Sequence, residues 1–170
     1  MRQEWHVTVT GDPMQWHRFL SGIKGIVKPL WIELNNFERQ LMCASTVMNP
    51  SEIIMRRGFR IVRVKHEVEA PILDISTHSP SSLTPPVEGA LYYETHVKFN
   101  GRFLPHLPMA SRDLYRADRW YLTHRSEQPF DHMDFVRWAQ QIVVGSNTFA
   151  GAEHEACLHD SNQELDARWA

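Results

Sequence analysis

At 170 residues, with 42% hydrophobic and 11% aromatic content, the chain suits one compact domain or two small lobes, and it is long enough to bury a core. Its net charge of -2 excludes general nucleic-acid binding by bulk electrostatics, double-stranded DNA above all. No apolar run approaches the roughly 18 residues of a membrane span, and Met1-Arg2-Gln3-Glu4 lacks the apolar stretch of a secretion signal, so the cytoplasm is the expected compartment.

In chain order, residues 5–10 alternate as a strand, with His6, Thr8 and Thr10 on one face and Trp5, Val7 and Val9 on the other. Gly11-Asp12-Pro13 opens a helix carrying Met14, Trp16, Phe19 and Leu20, which Gly22 and Gly25 end. Residues 28–34 and 40–46, around the turn Asn35-Asn36, form two more strands, the second containing Cys43; Cys43 and the distant Cys157 read as buried thiols. Asn49-Pro50-Ser51-Glu52 starts a second helix with Asn49 as its cap, and Gly58 stops it. In the strand over 59–68, Arg63, Lys65, Glu67 and Glu69 alternate with Val62, Val64 and Val68. The resulting β-α-β-β-α-β order is the ferredoxin-like one.

Residues 71–86, rich in proline, serine and threonine, read as a linker or long loop. Beyond it the order restarts, with strands over 90–99 and 119–125, a helix over 131–144 turning Phe135, Trp138, Ile142 and Val143 inward, and a strand over 152–159. Residues 100–117, with Pro105 and Pro108, carry little helix signal, so the first helix of this second copy is shortened or replaced by a loop. The expectation is a duplicated α+β fold, in which two ferredoxin-like lobes with antiparallel sheets share a polar cleft. The lobes cover 1–70 and 89–160, joined by a linker at 71–88 and followed by a tail at 161–170.

The second half also offers a polar strand face. Glu94, His96 and Lys98 oppose Thr95, Val97 and Phe99, while Arg119, Tyr121, Thr123 and Arg125 alternate with Trp120, Leu122 and His124. An antiparallel sheet with one wetted face shows the same alternation for solubility alone. Set against that, two histidines at matching places and several Arg and Lys side chains predict a concave cationic surface for a phosphorylated small molecule or nucleotide. His6, His96 and Thr8 are its candidate catalytic groups. Lys65, Lys98, Arg112, Arg119, Tyr121, Thr123, Arg125, Glu94 and Glu67 are its candidate ligand-binding groups.

His6-Val7-Thr8-Val9 resembles the His-X-Thr-hydrophobic motif of the two-histidine phosphoesterases, which carry one such motif in each of two pseudo-symmetric α+β lobes. The resemblance implies chemistry at a phosphodiester, often a cyclic one, in which one imidazole accepts a proton, the other donates one, and the threonines hold phosphate oxygens. His6 and Thr8 match the first motif. His96 matches the histidine of the second, but Lys98 stands where its threonine belongs. Residues 58–67, 93–98, Ser111-Arg112, 119–125 and 159–166 are also similar to a group of bacterial and phage proteins, a likeness that implies a ligand site there and names no chemistry.

Two rival readings stay open. The site binds a nucleotide or metabolite without turnover, which Lys98 favours, or His6, His96, Glu94 and Glu67 offer a divalent metal two imidazoles and two carboxylates. There is no HExxH or CxxC pair, so neither a metal nor a cofactor is expected, and the sequence leaves the oligomeric state open.

Overall fold

The structure, a computed structural model, describes residues 2–70, 86–102, 106–116, 118–143 and 148–166. In chain order the elements are β1 (Gln3–Thr10), α1 (Pro13–Gly22), β2 (Lys28–Leu34), β3 (Arg39–Ser45), α2 (Ser51–Arg56), β4 (Arg60–Glu69), β5 (Tyr92–Asn100), β6 (Ala110–Asp113), β7 (Arg119–Ser126), α3 (His132–Ile142), β8 (Thr148–Asp160) and a 3-10 turn (Gln163–Asp166). Asp12 caps α1 by accepting from the Gln15 amide at 3.0 Å, and Asp131 caps α3 through the Met133 and Asp134 amides. Asn49 accepts from the Ser51 amide at 3.1 Å, and Gly58, at φ 91°, ends the α2 segment in a conformation that other residues avoid.

All eight strands pair antiparallel and close into one barrel in the order β1-β3-β2-β6-β7-β5-β8-β4, with β4 returning to β1. This overturns the expected duplicated ferredoxin-like α+β fold. The ladders β2–β6 and β4–β8 join the two halves into a single continuous sheet, so among the described residues there are three short helices, no separate sheets and no cleft between lobes. The physical reason is edge pairing. A strand's period-two pattern fixes the face that each side chain takes but says nothing about which neighbour satisfies its outer amides, and closure removes every exposed edge. One closing strand, β6, lies in the stretch that was expected to be loop. Of the expected linker, residues 71–85 fall outside the described residues.

Two apolar clusters lie on one face of the ring. Val7, Val9, Leu41 and Cys43 pack with Trp16 and Leu20 of α1 and Ile54 of α2; Val97, Phe99, Trp120 and Leu122 pack with Val136 and Ala139 of α3. Eight strands enclose space only for side chains or one small ligand. The helices therefore lie outside, and the alternate face of each strand points inward; that face is polar on most strands but apolar on β2, which brings in Leu30, Ile32 and Leu34, and at Met42 of β3. On α3, Val136 and Ala139 are buried while Trp138 is half-exposed against Phe135, so the expected inward tryptophan sits at the margin. Under the N-terminus of α3, His132 and His154 stack with ring centroids 4.6 Å apart, both fully buried. Burial and the His132 ring hold His154 down at about 4, so this pair is neutral and structural. Both cysteines are free and buried, and burial pushes Cys43 up to about 12.

No helix among the described residues is long and apolar enough to cross a membrane.

Candidate functional site

Strand register decides what enters the barrel. Directly paired residues share a face, and β1 pairs Glu4 with Glu67, His6 with Lys65 and Thr8 with Arg63. On the other wall His96 pairs with Thr123 and Glu153, Glu94 with Arg125 and Glu155, and Lys98 with Tyr121. The interior is thus lined by most of the residues that alternation singles out: His6, Thr8, Lys65, Glu67, Glu94, His96, Lys98, Tyr121, Thr123 and Arg125. Arg119 continues the same face at the start of β7. Arg112 does not. It sits on the outer face and donates to the buried Glu33 at 2.5 and 2.9 Å, beside Arg39, which reaches the same carboxyl at 3.0 Å.

The two histidines meet through carboxylates. His6 Nε2 hydrogen-bonds Glu4 and lies 3.9 Å from Glu67 Oε2, while His96 Nε2 lies 3.5 Å from Glu155 Oε2 and 3.7 Å from Glu94 Oε2. Glu67 and Glu155 lie on the inner face of the adjoining strands β4 and β8 and line the same small cavity, so the His6–Glu67 and His96–Glu155 contacts adjoin there. Thr123 Oγ1, 2.7 Å from His96 Nδ1, orients that ring from the neighbouring strand. Thr8, by contrast, is buried, and its hydroxyl has no hydrogen-bond partner among the described residues.

The expected excess of positive charge is absent. Lys65 Nζ contacts Glu67 and Glu94 at 2.6 Å each, Lys98 contacts Glu153 at 2.6 Å, and Arg125 contacts Glu94 at 3.1 Å and also Asp166. Lys65, buried in the wall, needs its counter-charges because desolvation opposes an unpaired charge there, and the half-buried Lys98 and Arg125 are paired as well. Glu4, Glu155, Asp160 and Asp166 supply part of that balance and were not among the candidate site residues, although Asp160 and Asp166 fall in the stretch 159–166 whose likeness implies a ligand site. Glu4 and Glu155 obey the same alternation as His6 and Glu94 and were findable by extending it, whereas Asp166 comes from a turn that carries no period.

Protonation follows from these neighbours. Burial and the adjacent Glu67 charge push Glu155 up to about 8, so its carboxyl is largely neutral at pH 7. Burial works against charging His96, but the Glu155 carboxyl 3.5 Å away and the Glu94 charge hold it at about 9. Desolvation also opposes a charged His6, yet Glu67 and Glu4 raise it above its ordinary value. A group raised in the folded state stabilises the fold most below its unfolded value, and that contribution is lost as pH rises through the folded one. Glu155 and His96 therefore both withdraw stability over the window from 6.5 to about 8, the stretch their ranges share. We expect Glu155→Gln to reduce that decline by about half, measured as unfolding free energy in urea at successive pH values. An unchanged slope would mean that Glu155 is ionised in the native state.

The barrel mouth beside these contacts holds this cavity of about 40 Å³, lined by Arg2, Glu4, Glu67, Val68, Glu153 and Glu155, among others, which is room for water-sized molecules. His6 and His96 keep 18% and 22% of their side-chain surface exposed, so both are reachable from solvent. Among the described residues no group of three or more His, Cys, Asp or Glu side chains is placed to hold a metal ion, and in the rival metal set of His6, His96, Glu94 and Glu67 the two carboxylates are engaged by Lys65 and Arg125. No protein-family model matches the chain, and no curated protein or solved structure is found similar to it.

Proposed function

We propose that the barrel interior is an acid–base site for a small polar substrate, with His6 and His96 as its proton-handling groups. The observation that carries this reading is the meeting of the His6–Glu67 and His96–Glu155 contacts at one small cavity, built on strands far apart in the chain and open to solvent at both rings. A protonated imidazole on one wall and, beyond two carboxyls, a second imidazole that can lose its proton supply the acid and the base that proton transfer needs. His96, held at about 9, serves as the acid, and His6 serves as the base once its proton has left. The rate accordingly rises as His6 deprotonates and falls again as pH passes about 9.

A cyclic phosphodiester is the substrate class to which the His-X-Thr resemblance points. Its reacting group would reach the mouth while the rest of the molecule stays outside. Replacing His6 or His96 by alanine is expected to lower kcat on 2′,3′-cyclic nucleotides by about 10²–10⁴ each. Turnover that is absent in the unsubstituted chain, or unaltered in both variants, would defeat the reading. Binding without turnover is the second reading, favoured by the Lys98–Glu153 pair where the family motif places a hydroxyl. A ligand recovered intact by mass spectrometry after saturable binding would select it.

A further inference from the structure

At the Asp160 end of the interior a second ionic centre is completed by the chain's own tail. Arg63, 5% exposed, is already satisfied by Asp160, to whose carboxylate it donates at 3.0 and 2.7 Å, with the Tyr92 hydroxyl donating to the same group at 2.5 Å. Arg125 already has Glu94 at 3.1 Å, and its guanidinium lies 4.1 Å from the centre of the Tyr92 ring. Yet both arginines also grip Asp166. Arg63 donates to its two oxygens at 2.8 and 2.7 Å, and Arg125 donates to one of them.

Asp166 does not belong to the wall. It ends the 3-10 turn after β8, and the start of that turn is fastened to β4 by Ser161 and Asn162, through the Val64 amide to Ser161 Oγ at 2.7 Å and Asn162 Nδ2 to the Val62 carbonyl at 3.2 Å. Its carboxylate is thus carried into the barrel from four residues beyond the anchor. Arg63 and Arg125 have Asp160 and Glu94 as counter-charges on the strands themselves, so Asp166 is an added carboxylate brought in from outside the wall.

We infer that Arg63 and Arg125 form an oxyanion-binding site and that Asp166 occupies it as an internal competitor. The ligand class is a group presenting two oxygens in the spacing that guanidinium forks match, as a carboxylate or a phosphate ester does. Arg125 keeps 21% of its side chain exposed, so an incoming anion meets it first and displaces Asp166 from it before reaching Arg63. The inference rests on the reading of the interior as a ligand site and deepens it. Arg125 and Glu94 connect this centre to His96, so exchanging Asp166 for a ligand's oxyanion anchors the substrate on the wall that carries the proposed acid.

The test is binding, not turnover, so it fails separately from the histidine proposal. Acetate and inorganic phosphate, at constant ionic strength set by chloride, are titrated into the unsubstituted chain, Asp166→Ala, Asp166→Asn and Asp166→Ala/Arg125→Gln by calorimetry. Removal of the competitor is expected to tighten binding of at least one probe by tenfold or more in both single variants, and Arg125→Gln is expected to abolish the gain. Whichever probe gains more identifies the ligand's oxyanion. Equal affinity in the unsubstituted chain and the single variants overturns the inference. If those variants do not fold, hydrogen exchange of the unsubstituted chain decides: the Leu165 amide, bonded to the Asn162 carbonyl at 3.2 Å inside the turn, should exchange faster with rising phosphate or acetate but not with chloride. No difference between the anions refutes competition by Asp166.

Discussion

Arg63→Ala should cost the fold about 3–5 kcal/mol, the range for stripping one partner from a buried ionic group. The guanidinium is 5% exposed and the carboxylates it serves, Asp160 and Asp166, are 0% and 7% exposed, so neither carboxylate has water to fall back on. Arg125 would retain Asp166, but Asp160 would keep only the Tyr92 hydroxyl and the Asn162 amide. The loss should also depend on pH. Burial resists ionisation of Asp166, but Arg63, aided by Arg125, holds it down at about 2; a depressed carboxyl stabilises the fold above its unfolded value, and that gain is lost as pH falls through the folded one. The gap between the unsubstituted chain and Arg63→Ala therefore closes as pH drops from the ordinary aspartate range toward about 2. Urea unfolding at neutral and acidic pH measures it, and a neutral-pH loss below about 1 kcal/mol, the size of an exposed pair, would place this centre at the surface.

A similar penalty is expected at Lys65→Met, about 3–5 kcal/mol at pH 7, although the substituted chain keeps most of its packing volume. Lys65 is the cation shared by Glu67 and Glu94, both nearly fully buried, and its charge, acting against their desolvation, lies behind the lowering of both carboxyls. Without it the two glutamates face each other's charge across the barrel with only the histidines and Arg125 to compensate. Their titration should move upward, so the variant recovers relative to the unsubstituted chain as pH falls through the ordinary carboxylate range and both groups become neutral. An equal deficit at pH 7 and pH 4, roughly the ordinary glutamate value, would show that packing and not charge sets the cost. Because Glu67 borders His6 and Glu94 borders His96, the same substitution should strip protons from neither imidazole and bind them more firmly.

What the sequence discloses is facing, and what it conceals is partnership. His6, Thr8, Glu94, His96 and Lys98 share a period of two with their neighbours, so their common orientation could be read before any coordinates, and the register places them on one inner surface. Arg112 escaped that logic because β6 is only four residues long, too short for alternation to tell one face from the other. The carboxylates that cancel the cations were harder to see. A list of Arg and Lys positions looks like an anion trap until the register sets Asp160 opposite Lys65 and the folded chain brings Glu153 to Lys98 and Asp166 to Arg125. The closure of the barrel lay further from reach still, since the ladder of β2 on β6 joins Ile32 to Asp113 and Leu34 to Ser111 across some 80 positions of chain, and no local pattern marks a strand's outer edge for a particular mate.

The barrel's ladders are unequal in length. β6 meets β2 and β7 over three residue pairs each, whereas β5 meets β8 over nine and β1 meets β4 over eight. A cylinder with one thinly held stave gives way there first, as local opening follows the fewest cooperating bonds. That stave lies across the circumference from β4, which bears Lys65 and Glu67. Breathing of the hoop at β6 would therefore admit solvent or a guest molecule from the rear while the staves from β1 through β4 and β8 to β5, which set the spacing of the two imidazoles, stay fixed.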